Sequence, residues 1–130
     1  MVFLVIDDSS TQRKIIIQSL KMIGFAVAIE AENGLDGYAK LKENKVDFIL
    51  SDWNMPVLNG LEFSILVRGQ LQYSHIPIIM ITTRGQAEDV LLALKMKINS
   101  YIVKPFTPTV LEQKIKEVLT KSAQEKTVFL

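Results

Sequence analysis

The sequence predicts an α/β fold, (βα)₅, in which five strand–helix units form a doubly wound, five-stranded parallel sheet with helices on both faces. Two observations lead to this prediction. Short apolar runs recur roughly every 20–30 residues, and most are continuously apolar, as is typical of parallel strands buried on both faces. Segments with apolar residues at helical spacing lie between these runs. Alternating strands and helices of this size imply one parallel sheet.

The predicted strands are the apolar runs themselves. They are Val2–Ile6, Ala26–Ile29, Phe48–Leu50, Ile78–Ile81 and Tyr101–Val103. We expect the strand order 2-1-3-4-5, which is the order of flavodoxin-like folds and is adopted from them rather than worked out from the residues.

Each predicted helix carries an apolar stripe that should face the sheet. The stripes are Ile16, Leu20 and Ile23; Leu35, Tyr38 and Ala39; Leu61, Ile65 and Leu66; Ala87, Val90, Leu91 and Leu94; and Leu111, Ile115, Val118 and Leu119. Gly24 is a candidate C-cap of the first helix, and Thr107-Pro108 reads as the N-cap and first position of the fifth. We expect one domain over residues 1–121, followed by a frayed tail over 122–130.

Composition limits the classes of function. The 130 residues have 48% hydrophobic and 22% charged content and a net charge of +1, so bulk charge favours neither nucleic acid nor membrane as a partner. Cysteine is absent, which excludes disulfides, thiolate metal sites and cysteine catalysis. The N-terminal apolar run is too short for a signal peptide or membrane span. We therefore expect a cytoplasmic protein.

Polar side chains follow four of the predicted strands. They are Asp7 and Asp8, Asp52, Thr82 and Lys104. The carboxyl ends of the strands in a doubly wound sheet meet at one rim, which is where such folds bind ligands. Three carboxylates together repel one another unless a cation neutralises them, and an oxygen-only set suits Mg²⁺. A carboxylate can also attack phosphorus to form an acyl phosphate.

Taken singly, each of these residues has a structural explanation. Asp7 or Asp8 could cap the first helix, although Ser9 and Ser10 are better placed to do so, and Asp52 could be a turn residue before Asn54. A lone threonine or lysine after a strand is usually a turn or a solvated residue. Four strand ends with complementary chemistry favour the functional interpretation.

Four segments of the chain resemble the response-regulator receiver family, in particular its chemotaxis, CheY-type branch. They are Val5-Ile6-Asp7-Asp8-Ser9, Leu50-Ser51-Asp52-Trp53-Asn54-Met55-Pro56, Met80-Ile81-Thr82 and Tyr101-Ile102-Val103-Lys104-Pro105-Phe106. The resemblance covers about residues 2–120 in the same order.

The resemblance implies a separate role for each acidic residue, in phosphorylation or in metal binding. Asp52 matches the aspartate that is phosphorylated, Asp8 the direct ligand of Mg²⁺ (or Mn²⁺), and Asp7 the residue that holds the metal through water. The backbone carbonyl of Asn54 completes the protein ligands. Asn54 and Arg84 stand where the family tunes dephosphorylation, and we expect an altered rate here without a predicted direction.

The resemblance also implies a switch. Thr82 matches the hydroxyl that moves to the phosphoryl group, and Tyr101 the aromatic residue that follows it. Lys104 matches the lysine that contacts the phosphoryl oxygens, aimed by a cis Lys104–Pro105 bond. The partner face is expected on helix 4, strand 5 and helix 5, at Val90, Lys95, Lys97, Tyr101, Lys104, Thr107 and Lys114.

The implied function is that of a monomeric response regulator with intrinsic autophosphorylation and autodephosphorylation. A histidine kinase of the CheA type would donate the phosphoryl group, and a flagellar motor switch protein of the FliM type would bind the phosphorylated form. A phosphatase is a further expected partner.

Unlike the usual family pattern, the junction between helix 4 and strand 5 has no glycine, so we expect Asn99 or a longer final turn to end that helix.

Three alternatives stay open. The chain could be a receiver outside chemotaxis, such as a phosphorelay intermediate, a phosphate sink or a part of a larger protein. A flavodoxin-like electron carrier could use Ser9, Ser10 and Thr11 to bind phosphate, and an Asp-x-Asp phosphatase is a further alternative. Neither explains the adjacent Asp7 and Asp8.

Trp53 is expected to pack partly against the rim, and His75 to lie in a loop.

Overall fold

The computed structural model describes the backbone of residues 1–128 and the side chains of residues 1–123. Five strands alternate with five helices. In chain order they are β1 (Val2–Ile6), α1 (Ser10–Met22), β2 (Val27–Ala31), α2 (Gly34–Glu43), β3 (Phe48–Ser51), α3 (Gly60–Arg68), β4 (Ile78–Thr82), α4 (Ala87–Lys95), β5 (Ser100–Val103) and α5 (Pro108–Val128). The predicted (βα)₅ class is confirmed.

All strand pairs are parallel, and the sheet has the expected order β2-β1-β3-β4-β5. In the register of the central pair, Ile6 lies opposite Ser51. The Asp52 amide donates to the Ile6 carbonyl at 2.9 Å, and the Asp7 amide donates to the Ala31 carbonyl at 3.1 Å. The residues that follow β1 and β3 therefore leave the sheet side by side.

The core consists of two layers, one on each face of the sheet. Successive residues of a strand point to opposite faces, so Phe3 and Val5 pack in one layer while Leu4 and Ile6 pack in the other. The first layer is covered by α1 and α5, and the second by α2, α3 and α4.

The predicted stripes are confirmed in α1 and α5 but only partly correct on the other face, where Tyr38 and Leu61 pack against the core. Ile16 and Leu20 of α1 are buried, and so are Leu111, Ile115 and Val118 of α5. The residues predicted to face the sheet include several that are exposed: Leu35, Ile65, Leu91 and Leu94. The residues buried outside the predicted stripes include the large Leu41, Phe63 and Val67. The others are small, namely Gly34 and Gly37 in α2, Gly60 and Ser64 in α3, and Ala93 in α4. Small residues let these helices approach closely, which a search for large apolar residues cannot detect.

Helix ends follow local chemistry. Ser9 is the N-cap of α1 and accepts from the Gln12 amide at 3.2 Å, as predicted. Gly24 follows α1 with φ of 97°, a left-handed conformation that favours glycine. The Thr107 hydroxyl accepts from the Val110 amide at 3.2 Å at the start of α5.

Of the two predicted endings of α4, the one that used Asn99 is wrong, because Lys97 takes the left-handed position, with φ of 64°. The Ile98 amide donates to the Ala93 carbonyl and the Lys97 amide to the Leu94 carbonyl, each at 3.1 Å. This is the hydrogen-bond pattern of a Schellman motif. The Asn99 side chain is engaged elsewhere, since its Oδ1 accepts from the Ile78 amide at 2.8 Å.

Helix α5 continues to Val128, past residue 121 where the sequence places the domain end. The boundary and the fraying of residues 122–130 stay predictions, and Phe129 and Leu130 lie outside the described residues. Among the described residues, none of the helices combines the length and apolar character that crossing a membrane requires.

Candidate functional site

Three carboxylates meet at the carboxyl ends of β1 and β3. Oxygen atoms of Asp7, Asp8 and Asp52 all lie within 4.8 Å of one another. Asp7 is buried, Asp8 is exposed and Asp52 is half-buried. The predicted convergence of these residues is therefore present, on a rim where both central strands end.

Lys104 is the cation of this cluster. Its Nζ lies 2.6 Å from Asp7 Oδ2 and 3.5 Å from Asp52 Oδ2, and only 10% of its side chain is exposed. The lysine follows β5, and its bond to Pro105 is cis, as the resemblance implies. One lysine facing three carboxylates leaves the cluster with excess negative charge.

The donor set fits a hard divalent cation such as Mg²⁺ or Mn²⁺. Both oxygens of Asp7 are already engaged, one by Lys104 and the other by the Ser9 amide at 2.9 Å, which suits a contact with metal through water. The Asp8 carboxylate has no hydrogen-bond or ion-pair partner within the described part of the chain. Carboxylate oxygens with room for water are the ligands that Mg²⁺ prefers.

Asp52 is largely enclosed in the site, with 13% of its side chain exposed. Burial raises the pKa of this carboxyl group above its usual range. A hydrogen bond with the Thr82 side chain and the positive charge of Lys104 oppose the rise in pKa, while the charge of Asp7 adds to it. Asp52 Oδ1 also accepts from the Trp53 amide at 2.7 Å. The metal-free site thus disfavours the ionised form that a nucleophile needs.

A chain of hydrogen bonds leads from Asp52 to Tyr101. The Thr82 side chain lies near Asp52 and lowers the pKa of that carboxyl group, and the Arg84 amide donates to Thr82 Oγ1 at 3.4 Å. The Tyr101 hydroxyl donates to the Arg84 carbonyl at 2.6 Å. Burial raises the pKa of Tyr101 to about 12, so its hydroxyl keeps the proton it donates. The sequence predicted the two ends of this chain but not the Arg84 backbone in its middle.

The Arg84 side chain joins the loop after β3 to α4. Its guanidinium lies 4.1 Å from the centroid of the Trp53 ring. It donates to Asn54 Oδ1 at 3.3 Å and forms an ion pair with Asp89 at 2.8 Å. Asp89 was not among the predicted site residues, and only its spacing of five from Arg84 could have indicated the pair. Trp53, expected to be partly packed, is only 3% exposed because it sits under this arginine and within the core.

The first residue of helix α3 packs against the backbone of the loop that follows β3. The Gly60 amide donates to the Trp53 carbonyl at 2.8 Å, and a Cβ at Gly60 would lie 2.0 Å from the Asp52 carbonyl oxygen. Asn59 caps this helix in a reciprocal capping box with Glu62. A glycine is therefore required where the helix begins.

The predicted partner face is only partly available. Lys95, Lys97 and Thr107 are exposed, whereas Val90, Tyr101, Lys104 and Lys114 are half-buried. Lys104 is held by the carboxylates and does not belong to the exposed surface. The face also exposes apolar residues that were predicted to be buried, Leu91 and Leu94. His75 is exposed in a turn before β4, as expected.

Comparison with known proteins identifies the relatives of this arrangement. Residues 3–116 match the response regulator receiver domain family. A chemotaxis protein CheY homolog of Campylobacter jejuni is 46% identical over 126 residues, covering 96% of this chain and 97% of the relative. Chemotaxis protein CheY1 of Helicobacter pylori is 48% identical over 92% of this chain and 97% of the relative.

Solved structures agree with the fold. Chemotaxis response regulator CheY4 of Vibrio cholerae, crystallised at low pH, superposes with a TM-score of 0.83 at 34% identity, covering 91% of this chain and 98% of that one. The receiver domain of a signal transduction histidine kinase from Syntrophus aciditrophicus gives a TM-score of 0.81 at 28% identity, with coverage of 92% and 89%.

Proposed function

The chain belongs to the response-regulator receiver family, and from that membership we propose that it accepts a phosphoryl group on Asp52 and relays the change to a partner. The observation that carries the proposal is the half-buried Asp52 carboxylate, set between two further aspartates and Lys104. A CheA-type histidine kinase is the proposed donor, and a cytoplasmic location is part of the proposal.

The chain's own groups support a Mg²⁺ (or Mn²⁺) requirement. Asp8 would bind the ion directly, Asp7 through water, and the Asn54 backbone carbonyl would add a third contact. The bound ion supplies positive charge that stabilises the phosphoryl oxygens and keeps Asp52 ionised. Burial raises the pKa of Asp52 without metal, and a cation beside the carboxyl group would lower that pKa.

Phosphoryl transfer needs positioning and charge more than covalent assistance. An oxygen of Asp52 attacks phosphorus, the bond from phosphorus to the donor breaks, and its electron pair leaves with the donor. Lys104, now paired with Asp7 at 2.6 Å, is close enough to Asp52 to contact the oxygens of the new acyl phosphate. Attack of water on that acyl phosphate regenerates Asp52, which is the proposed autodephosphorylation.

The hydrogen-bond chain from Asp52 to Tyr101 supports a route for the signal. A phosphoryl group adds negative charge and acceptor oxygens at Asp52. The Thr82 side chain lies close enough to this carboxyl group to lower its pKa, and its Oγ1 accepts from the Arg84 amide. A shift of Thr82 toward the phosphoryl group therefore moves the Arg84 backbone and, with it, the acceptor of the Tyr101 hydroxyl.

Arg84 and Asn54 are the proposed regulators of phosphoryl lifetime. The Arg84 guanidinium bonds the side chain of Asn54, which lies two residues after Asp52. We expect Arg84→Ala to change the autodephosphorylation rate, measured as the decay of the phosphorylated form after the donor is removed. An unchanged rate would dismiss this role.

Chemotaxis is the proposed pathway, with a FliM-type flagellar switch protein as the output partner. Support comes from curated relatives that carry chemotaxis names and from a face that combines exposed Leu91 and Leu94 with Lys95 and Lys97. Such a surface favours an acidic, amphipathic partner. A pull-down with a flagellar-switch peptide, with and without a phosphoryl mimic, tests it, and absence of binding in both states would reject this partner.

A receiver outside chemotaxis is the second candidate. The observation that favours it is the likeness to a receiver domain of a histidine kinase, which shows that similar structures occur in larger signalling proteins. Phosphoryl exchange with a histidine-containing relay protein, without binding to the switch peptide, would support this candidate over the first.

The central test uses the fluorescence of Trp53, which adjoins Asp52. The protein is titrated with Mg²⁺ and then with a small acyl-phosphate donor, and Asp52→Asn should abolish the response to the donor. Glu117→Gln removes a negative charge from an exposed position of α5 and serves as the control. A donor response that survives Asp52→Asn would show that another residue is phosphorylated.

A further inference from the structure

Arg13 of α1 reaches back to the loop that carries two of the acidic residues. Its Nη1 donates to the Asp7 carbonyl at 2.6 Å, and its Nε donates to Glu30 Oε1 on β2 at 2.9 Å. Helical side chains lean toward the N-terminus of their helix, which directs Arg13, one turn after the N-cap Ser9, toward this loop. Only 16% of the side chain is exposed, so the guanidinium is held between α1, β2 and the end of β1.

The Asp7 carbonyl sets the direction of the residue that follows it. The β1–β2 ladder ends at Ile6 and Ala31, so this carbonyl lies beyond the last pair of strand residues. A peptide group is planar, and a bond that fixes the Asp7 carbonyl therefore also fixes the amide of Asp8. The Asp8 carboxylate makes no hydrogen bond or ion pair with the described residues, so the protein orients it through the backbone.

We propose that Arg13 is a positioning residue of the metal site, which holds the Asp7–Asp8 peptide so that the Asp8 carboxylate faces a bound divalent cation. The inference rests on the proposed metal-dependent function. Glu30 supports the arrangement, because its carboxylate fixes the guanidinium from the side of β2. The charge of Arg13 by itself acts in the opposite sense, since a positive charge near the carboxylates repels a cation.

Two cations separate the geometry of the site from its charge. Binding of Mg²⁺ and of Ca²⁺, each without a phosphoryl donor, is followed by Trp53 fluorescence at constant ionic strength. Mg²⁺ demands a nearly ideal octahedral arrangement of ligands, whereas Ca²⁺ accepts flexible ones, so a misdirected Asp8 weakens Mg²⁺ binding more. The two ions carry the same charge, so a change of protein charge or a loss of folded protein leaves the ratio of their dissociation constants unchanged.

Arg13→Met is the main variant, because it removes both hydrogen bonds and keeps an apolar stem. We expect the dissociation constant for Mg²⁺ to rise about tenfold, as for other residues that orient a metal ligand, and that for Ca²⁺ to rise less. Arg13→Lys retains a donor for the Asp7 carbonyl without the planar fork that also bonds Glu30, so its ratio should be intermediate. Lys14→Met is the matched control, since it removes the same charge from the adjacent, exposed position of α1.

The outcomes are distinct. A wild-type protein that responds to neither ion overturns the proposed metal-dependent function itself. The same Mg²⁺-to-Ca²⁺ ratio in the wild type, Arg13→Met and Lys14→Met overturns the positioning role alone, whatever the separate affinities. A ratio that shifts against Mg²⁺ in Arg13→Met and not in Lys14→Met supports the role. If circular dichroism shows that Arg13→Met does not fold, the ratio measured for Arg13→Lys decides in the same way.

Discussion

Replacing Gly60 with alanine tests how closely α3 must approach the chain at Asp52. The added methyl carbon would lie 2.0 Å from the Asp52 carbonyl oxygen, 2.9 Å from its carbonyl carbon and 3.0 Å from Trp53 Cα. All three are backbone atoms, which cannot rotate away as a side chain could. Favourable carbon contacts lie at about 3.5–4.0 Å, so the helix and the loop must separate by roughly an ångström or more.

The cost has two parts. Overpacking in a well-packed region costs typically about 1–3 kcal/mol, and the backbone neighbours place Gly60→Ala at the upper end. Separation also breaks the bond from the Gly60 amide to the Trp53 carbonyl, now 2.8 Å, at about 1 kcal/mol. We expect the free energy of unfolding to fall by about 3–4 kcal/mol, a large share of the 5–15 kcal/mol of an ordinary domain.

Urea unfolding followed by circular dichroism measures the change, and Mg²⁺ titration reports the displacement of Asp52. Gly69→Ala is the matched control, because its Cβ would meet nothing closer than 3.5 Å and its φ is −78°. That substitution should be neutral or stabilise by up to about 1 kcal/mol. A Gly60→Ala protein as stable as Gly69→Ala would refute the close-approach argument.

Three further predictions follow from the same structure. Arg68 donates to the carbonyls of Lys97, Ser74 and Ile76 and to Asn99 Oδ1, at 2.8–3.1 Å. Because Arg68→Met removes these bonds, it should lower the free energy of unfolding by about 2–4 kcal/mol in urea titrations. A loss below about 0.5 kcal/mol would contradict this. Lys97→Gly removes a side chain from the left-handed position and should raise the thermal midpoint, with a gain of about 0.5–1 kcal/mol; a lower midpoint would show that the Lys97 side chain stabilises the turn. The native carboxyl of Asp52 has a raised pKa, so it binds its proton more tightly than the unfolded chain does. Without metal, the stability of the wild type should therefore rise as pH falls through the raised native pKa toward the ordinary value of 3.8. Asp52→Asn should be more stable than wild type at pH 7 and lose that advantage by pH 3.8, and an advantage that persists there in urea titrations would argue against the charge as its cause.

The residues that meet at the rim were easier to predict from the sequence than the helix faces that pack on the sheet. Asp7, Asp52, Thr82 and Lys104 each end a strand or directly follow one. Strand ends are marked by a change from continuous apolar to polar residues, and parallel topology then forces those ends to one rim. Proximity at the rim is thus a consequence of the fold class and needs no knowledge of side-chain contacts.

The faces of α2, α3 and α4 could not be found in the same way. Gly37 packs so closely on Ile6 that a Cβ there would lie 2.6 Å from the Ile6 Cδ1. Hydrophobic periodicity weights large aliphatic residues, and these helices turn small residues toward the sheet as well as Leu41, Phe63 and Val67. The Arg84 contacts were missed for another reason, since an arginine reaching Trp53, Asn54 and Asp89 depends on loop conformation rather than on period.

The loop around Asp52 and helix α4 are stabilised by different contacts, and this difference bears on the proposed switch. Around Asp52, the structure is fixed by backbone contacts, including the close approach of Gly60 and the bond from the Asp52 amide to the Ile6 carbonyl. Helix α4 buries only Ala93, its N-cap makes no side-chain hydrogen bond, and its end requires a left-handed lysine. Few buried contacts and weak capping give a segment a low free energy of local displacement. A change at Asp52 that reaches Thr82 and Arg84 therefore meets least resistance at α4, where the exposed leucines and lysines of the proposed partner face lie.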